Sequence, residues 1–409
     1  MNAPNLAELY PGYRPELGFP NEPRFFNKEE FDRLLVHVAD NDGADLTLQT
    51  EEPAYAYIRG ENIRLTTRPL TNSEIEIICN HIYGQQNGVA VIRAGGEIDV
   101  RHPVILKETN GQGSTITKAK YGFRVNITGC WARGDDSGMQ ITARTIKSSP
   151  PRLEEMGIEQ ELVDNFYPHD GLVLVCGPTG SGKSTLLAGA MRKIIEDPNS
   201  HRKIITGEAP IEYTYDDIPR SSAIISQHEI PRHLPSFRAF VRNTLRRAPK
   251  IILVGESRDA ETVEASLTAT ETGHAVYSTV HSRSVSHTMA RLANLFPPHE
   301  RMTKVFELIE SFRVIIVQKL VRRADGTGRV ALREFLVFDQ VIRDHLRQAT
   351  SLREAEHIMS KMVEKYGQTM LSAAQRAYEA GLIPAHEVSV LERESSSSLI
   401  ESLSTEFGS

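Results

Sequence analysis

Gly177-Pro178-Thr179-Gly180-Ser181-Gly182-Lys183-Ser184 is the stretch from which the fold of this chain can be read. It has the full form GxxxxGK[ST]. A strand pattern, Gly171–Gly177, runs into it, and a helical pattern, Lys183–Glu196, runs out of it. That strand–loop–helix setting is the one in which the motif acts. The glycines let successive backbone N–H groups turn toward one point, and the helix N-terminus adds positive potential there. The implied chemistry is a cradle for the phosphates of a nucleotide, built from Gly177, Pro178, Thr179, Gly180, Ser181, Gly182, Lys183, Ser184 and Thr185. Lys183 is expected on the β- and γ-phosphates, and the Ser184 hydroxyl on Mg²⁺.

Outward from the loop, strands and helices alternate. Lys203–Gly207, Ile251–Gly255 and Ala275–Val280 read as strands, Phe237–Arg247 and Asp259–Thr272 as helices. This alternation predicts a parallel, doubly wound sheet. The strand Ile251–Gly255 ends in Glu256, which beside the loop strand would face the Mg²⁺ site as the Walker-B carboxylate. The strand Lys203–Gly207 ends in Glu208-Ala209-Pro210-Ile211-Glu212. One acid of that pair could polarise a water for attack on the γ-phosphorus, and spacing alone does not choose between them. No NKxD or TKxD occurs, so the guanine-specificity motif is absent and ATP is favoured over GTP.

Upstream, Ser148-Ser149-Pro150-Pro151 breaks the pattern and marks a linker. Before it, Asn27 is the expected N-cap of a helix that carries Phe31, Leu34, Leu35 and Val38 at helical spacing. Strands at Asp45–Gln49, Ala54–Ile58, Phe123–Ile127 and Gln140–Arg144, with a helix at Ser73–Tyr83, predict a mixed α+β domain. Pro4, Pro11, Pro15, Pro20 and Pro23 set residues 1–26 as an extended arm. Val314-Ile315-Ile316-Val317 reads as a buried strand or helix segment. From about Arg343 the sequence is helical and polar, and the last residues read as frayed.

At 409 residues the chain is too long for one core, and two domains are expected. Lys+Arg 47 against Asp+Glu 53 gives a formal charge of -6, which argues against a protein that coats nucleic acid. Nucleic-acid binding is therefore not expected. Arg238, Arg242, Arg246 and Arg247 would share one helix face, read as charge at a subunit interface or near the nucleotide rather than as the contact of a nucleic-acid motor. Cys79, Cys130 and Cys176 form no CxxC pair, which argues against a zinc ribbon and for a reducing compartment. The N-terminus lacks the basic and apolar regions of a secretory signal, and no apolar run is long enough for a membrane span. Membrane association is expected only through a partner.

Several motifs, in order, resemble those of the type II/IV secretion ATPase superfamily. They are Gly43-Ala44-Asp45-Leu46-Thr47-Leu48, Phe123-Arg124-Val125-Asn126, Arg144-Thr145-Ile146 and the glycine loop. Next come Glu208-Ala209-Pro210-Ile211-Glu212-Tyr213, which resembles the Asp box, and the Leu245–Asp259 run around Glu256. Last come Thr270-Glu271-Thr272-Gly273-His274 and Ser278-Thr279-Val280-His281, which resemble the His box. The likeness covers about Phe31 to Val388. Within the superfamily it is greatest to the DotB/TraJ branch of type IVB secretion and I-type plasmid conjugation, close relatives of the pilus-retraction ATPase PilT. Val341-Ile342-Arg343-Asp344-His345-Leu346-Arg347-Gln348 echoes a PilT-like run.

The resemblance implies a PAS-like domain over 27–147, a linker over 148–168 and a RecA-like ATPase domain over 169–340. A helical region over 341–395 and a flexible tail over 396–409 would follow. It also implies a cytoplasmic homo-hexamer, recruited peripherally to the inner membrane by the inner-membrane and cytoplasmic components of a secretion or conjugation machine. Its cofactors would be ATP and Mg²⁺. Among the residues, Glu212 would activate water, Glu256 with Ser184 would serve Mg²⁺, and His281 would sense the γ-phosphate. Lys183 would act on the phosphates, and Arg124 and Arg144 would reach the nucleotide. Ala209 stands where the Asp box carries Asp, and Lys250 where PilT-like proteins carry Asp. His274 reads equally as a core or a catalytic histidine. The leading reading is an ATPase that powers a type IVB or conjugative apparatus. The alternatives are a pilus-retraction ATPase and a nucleotide-gated docking module with little turnover, for which Ala209 speaks.

Overall fold

The computed structural model describes residues 14–58, 61–109, 115–146 and 149–394. The chain divides into two compact units, Met1–Ser149 with Ala209–Thr214, and Pro150–Glu208 with Tyr215–Ser409.

The first unit is built on a six-stranded antiparallel sheet in the order β3-β2-β1-β6-β5-β4. Its strands are β1 Gly43–Gln49, β2 Tyr55–Ile58, β3 Glu61–Arg64, β4 Ile98–Thr109, β5 Thr115–Ala132 and β6 Asp135–Ile146. Two amphipathic helices pack into the same core. Lys28–Asp40 starts where Asn27 Oδ1 accepts from the Glu30 N–H at 2.9 Å, and it buries Phe31, Leu34, Leu35 and Val38. Asn72–Tyr83 starts on a reciprocal Thr71–Glu74 capping box and buries Ile75, Ile78, Cys79 and Ile82. These meet Leu46, Leu48, Val125, Ile127, Ile141 and Ala143 of the sheet. Each such side chain, fully buried, contributes about 1.5–3 kcal/mol relative to exposure.

Residues 14–26, expected within an extended arm, instead join this core. Phe19 and Phe26 are buried, the Phe19 N–H donates to the Leu65 carbonyl at 2.8 Å, and the Phe26 N–H donates to Glu74 Oε1 at 2.6 Å. The prolines shape this segment, but its aromatic residues decide where it goes. The rest of the expected arm and the expected tail over 396–409 lie outside the described residues.

The second unit carries the parallel, doubly wound sheet that the alternation predicts, in the order β13-β12-β7-β11-β10-β8-β9. The strands are β7 Gly171–Cys176, β8 Lys203–Glu208, β9 Ile224–Glu229, β10 Ile251–Val254 and β11 Ala275–Val280. A hairpin, β12 Phe312–Arg322 and β13 Arg329–Val337, extends it, β13 being antiparallel. β7 and β11 are buried at every position, as continuous apolar runs inside a parallel sheet should be. The edge strand β9 escapes a reading by pattern because it is half polar and leaves Ile224 exposed.

The expected linker over 148–168 is largely structured in this unit. It forms a 3₁₀ turn, Leu153–Met156, and a short helix, Gln160–Asn165, and buries Leu153, Leu162 and Phe166. The prolines break the strand pattern, while the apolar residues after them fold onto the second unit. The expected ATPase range of 169–340 also loses Ala209–Thr214, which groups with the first unit. Helices Gln340–Leu346 and Leu352–Tyr366 add Ile342, Leu346, Met359 and Val363 to the core that holds β12. Among the described residues, no helix is long and apolar enough to cross a membrane.

Candidate nucleotide site

Parallel pairing brings the C-terminal tips of β7, β11, β10 and β8 to one edge of the sheet, where open α/β sheets bind ligands. The glycine loop leaves the tip of β7. At Gly177, φ is 141°, and a Cβ there would stand 2.4 Å from the Gln318 carbonyl oxygen and 2.6 Å from Ser181 Oγ. Only glycine lets the loop turn this close to β12. Lys183 is buried, and its Nζ donates to the carbonyls of Gly177 and Pro178 at 3.0 Å each. The loop thus wraps its own cation.

This arrangement fits a phosphate group. The Ser181 hydroxyl is buried without a hydrogen-bond partner among the described residues. The helix Lys183–Glu196 opens at Gly182 with no side-chain cap, whereas Asn27, Thr71 and Ser236 cap theirs. An uncapped helix start beside a buried cation and an unpartnered hydroxyl is what an anion completes. Ser184, half-buried in the first turn, is positioned by the same helix.

The tips of β10 and β11 carry the other two residues of this unit. Glu256 follows Gly255, whose N–H donates to the Gly207 carbonyl at 2.8 Å and whose carbonyl accepts from Thr279 Oγ1 at 2.6 Å. His281 Nε2 stands 3.7 Å from Glu256 Oε1. Burial pushes the His281 pKa below the usual imidazole range, Lys183 and Arg291 push the same way, and Glu256 opposes them in part. His281 is therefore held neutral near pH 7. Burial also pushes the Cys176 thiol on β7 up to about 12, so it packs and does not ionise.

Glu208 and Glu212 fall in different units. Glu208 Oε1 accepts from Thr206 Oγ1 at 2.6 Å and from Gln227 Nε2 at 3.2 Å, within the second unit. Glu212 belongs to the first unit, together with Arg124 and Arg144. There the strand register aligns Asp45, Arg144, Arg124 and Arg101 in one row across β1, β6, β5 and β4. Like charges side by side need counter-charges. Arg124 pairs with Asp99 at 2.7 Å and Arg144 with Asp45 at 2.9 Å. The Asp99 carboxylate, and Glu212 more weakly, favour the charged form of Arg124.

Three buried side chains escape the sequence reading. Arg101 NH1 donates to the carbonyls of Ile211 and Glu212 at 3.1 and 3.2 Å. A Cβ at Gly122 would stand 2.6 Å from Arg101 NH2, so this glycine makes the room. In the second unit, Gln318 Nε2 donates to the Ser181 carbonyl, and Gln318 Oε1 accepts from Arg333 Nε at 2.9 Å. Arg333 is fully buried and also donates to the carbonyls of Met156 and Gly157 at 3.0 Å each. No local motif marks any of the three; the sequence signal is a charged or amide residue inside an apolar strand pattern.

One other expectation changes, and His274, which reads equally as core or catalytic, takes its place in the fold. The helix beginning at Phe237 ends at Thr244, and Arg246 and Arg247 lie in the 3₁₀ turn Leu245–Arg247, so the four arginines do not share one helix face. Arg247 instead reaches β9, at His228 and Ser226, and Arg238 pairs with Glu261. His274 precedes β11, at the end of the strand opposite His281, and bonds to Ala269 and Thr272.

Residues 115–390 match the family described as type II/IV secretion system protein. The ATPase DotB of Legionella pneumophila is 40% identical, and its crystal structure superposes with a TM-score of 0.83 over 92% of this chain and 98% of that one. The pilus retraction motor PilT, solved with bound ADP, superposes with a TM-score of 0.72 at 27% identity, over 87% of this chain and 95% of that one. The type IV pilus retraction ATPase PilT of Pseudomonas aeruginosa is 33% identical over 315 residues, 77% of this chain and 84% of the relative.

Proposed function

The chain belongs to the type II/IV secretion system protein family, and on that premise we propose that it is a Mg²⁺-dependent ATPase that powers a type IVB or conjugative secretion apparatus as a cytoplasmic homo-hexamer. One observation carries this reading: the glycine loop closes on the buried Lys183, with Glu256 and His281 on neighbouring strand tips. The stronger structural likeness to DotB than to PilT favours secretion over pilus retraction.

In this reading the amides of Gly180 to Thr185 and the Lys183 ammonium hold the β- and γ-phosphates of ATP. Ser184 and Glu256 would hold Mg²⁺, which would supply charge neutralisation on those phosphates. Neutral His281 keeps a ring N–H to donate toward the γ-phosphate. Glu212 accepts the proton of the attacking water, and Arg124 and Arg144 exchange Asp99 and Asp45 for phosphate oxygens. Such forks gain most when desolvated, which suits a contact that forms with ATP and is released with product. Recruitment to the inner membrane is by the machine's own components.

Phosphate release from Mg²⁺-ATP by the purified chain tests the assignment. Turnover that Lys183→Ala abolishes is expected, since the substitution removes the cation that neutralises the β,γ-phosphates. Wild-type-like hydrolysis by Lys183→Ala defeats it. Bound nucleotide with no turnover in the wild type returns the docking-module reading.

A further inference from the structure

The first unit gathers two histidines and an aspartate from three separate elements. Asp32 lies in the helix Lys28–Asp40, His81 in the last turn of Asn72–Tyr83, and His102 on β4. His102 Nε2 is 2.8 Å from Asp32 Oδ1, and His81 Nε2 is 3.3 and 3.4 Å from the two carboxylate oxygens. The ligand atoms all lie within 4.8 Å of one another. The two imidazoles stand edge to face, centroids 5.0 Å apart, and Phe31 flanks both rings.

Around a tetrahedral zinc, bonds of about 2.0–2.2 Å set neighbouring donor atoms roughly 3.3 Å apart. The spacings from Asp32 to the histidines bracket that value. Two imidazole nitrogens with one carboxylate suit a borderline divalent cation of the zinc class, whereas Ca²⁺ and Mg²⁺ prefer all-oxygen shells. Coordination through Nε2 requires each ring proton to sit on Nδ1, a tautomer change that costs no net charge. His102 is buried, while Asp32 and His81 are only half-buried, so one side is open for a water as fourth ligand.

We infer that Asp32, His81 and His102 form a metal site for a zinc-class divalent cation, which staples two helices to β4. The staple has a direct mechanical neighbour. Successive residues of a strand face opposite sides of a sheet. A cation on His102 therefore fixes β4 from one face, while Arg101 on the other holds the carbonyls of Ile211 and Glu212.

The test is a cobalt titration of the full chain after chelation, read by visible d–d absorption, with zinc as competitor. One cobalt per chain is expected, displaced by zinc, with zinc also raising the thermal midpoint. Asp32→Asn and His81→Gln, both at half-buried positions, should weaken cobalt binding at least about tenfold and remove the zinc-dependent rise. A control in Glu256→Gln/His281→Ala separates the nucleotide site. Absent bands in the wild type overturn the inference. So do bands that persist in Asp32→Asn and His81→Gln, or that vanish only in the control.

Discussion

Gln318 Nε2 donates to the main-chain carbonyl of Ser181 at 2.7 Å, tying the phosphate loop to a strand 137 residues further along the chain. The other end of the same amide accepts from Arg333, so one side chain joins the loop to a buried guanidinium. Gln318→Leu keeps the volume and removes both bonds. A buried donor or acceptor left unpaired costs about 1–3 kcal/mol. Nucleotide affinity should fall about tenfold, equivalent to about 1.4 kcal/mol, in a titration with a fluorescent ATP analogue. Unchanged affinity would show that the loop holds its shape without the amide.

Glu212→Gln should retain ATP and slow hydrolysis by about 10²-fold or more, the size of a general-base contribution. Glu208→Gln should be milder, because Thr206 and Gln227 already occupy that carboxylate. Single-turnover phosphate release on both variants decides the assignment. A dead Glu208→Gln beside an active Glu212→Gln reverses the two acids.

On the proposed reading of Glu212 as the residue that activates water, Arg101, which holds the Ile211 and Glu212 carbonyls, would position it. Arg101→Lys keeps the charge but loses the planar fork that serves two carbonyls. We expect kcat to fall about tenfold with KM nearly unchanged, a loss of about 1.4 kcal/mol confined to the transition state. A rise in KM at constant kcat would instead place Arg101 in substrate binding.

Glu74 is the polar hub of the first unit. Its fully buried carboxylate accepts from the Phe26 N–H, from both Arg68 NH groups and from Thr71. Burial raises its pKa, but the hydrogen bonds from Arg68, Thr71 and Phe26 outweigh it and hold the pKa below the usual glutamate value. A depressed folded-state pKa gives stability that is present above the unfolded value, near 4.5, and is lost as pH falls through the folded one. Glu74→Gln should cost about 2–3 kcal/mol at pH 7, read from urea midpoints. The gap between variant and wild type should narrow in acid. A constant gap from pH 7 to pH 3 would assign the loss to packing.

How much of this was legible in the sequence follows from how local each cause is. The glycine loop between a strand and a helix, the strand that precedes Glu256 and the Asn27 cap are written within a few residues, and each of these elements is present in the structure. The parallel sheet follows from alternation. Arg101, Gln318 and Arg333 were not legible, because their partners lie far along the chain or on another strand. The same holds for Asp32, His81 and His102, which look like surface residues of three unrelated segments until the helices pack. Residues 14–26 depart from an extended arm for a different reason. Proline content describes stiffness, whereas the place of residues 14–26 is set by where Phe19 and Phe26 find a core.

The grouping of Ala209–Thr214 with the first unit means that the chain passes between the units after Ser149, after Glu208 and after Thr214. The gene therefore cannot be cut into two self-sufficient cassettes at a single point. A fragment ending at Ser149 would lack the carbonyls that Arg101 holds, and an isolated second half would carry six residues of the first unit in the connection between β8 and the edge strand β9. Exchange of whole units between relatives would have to transplant two separate pieces at once. A chimaera that swaps a single contiguous segment would therefore split the first unit, whereas substitutions within either unit leave both whole.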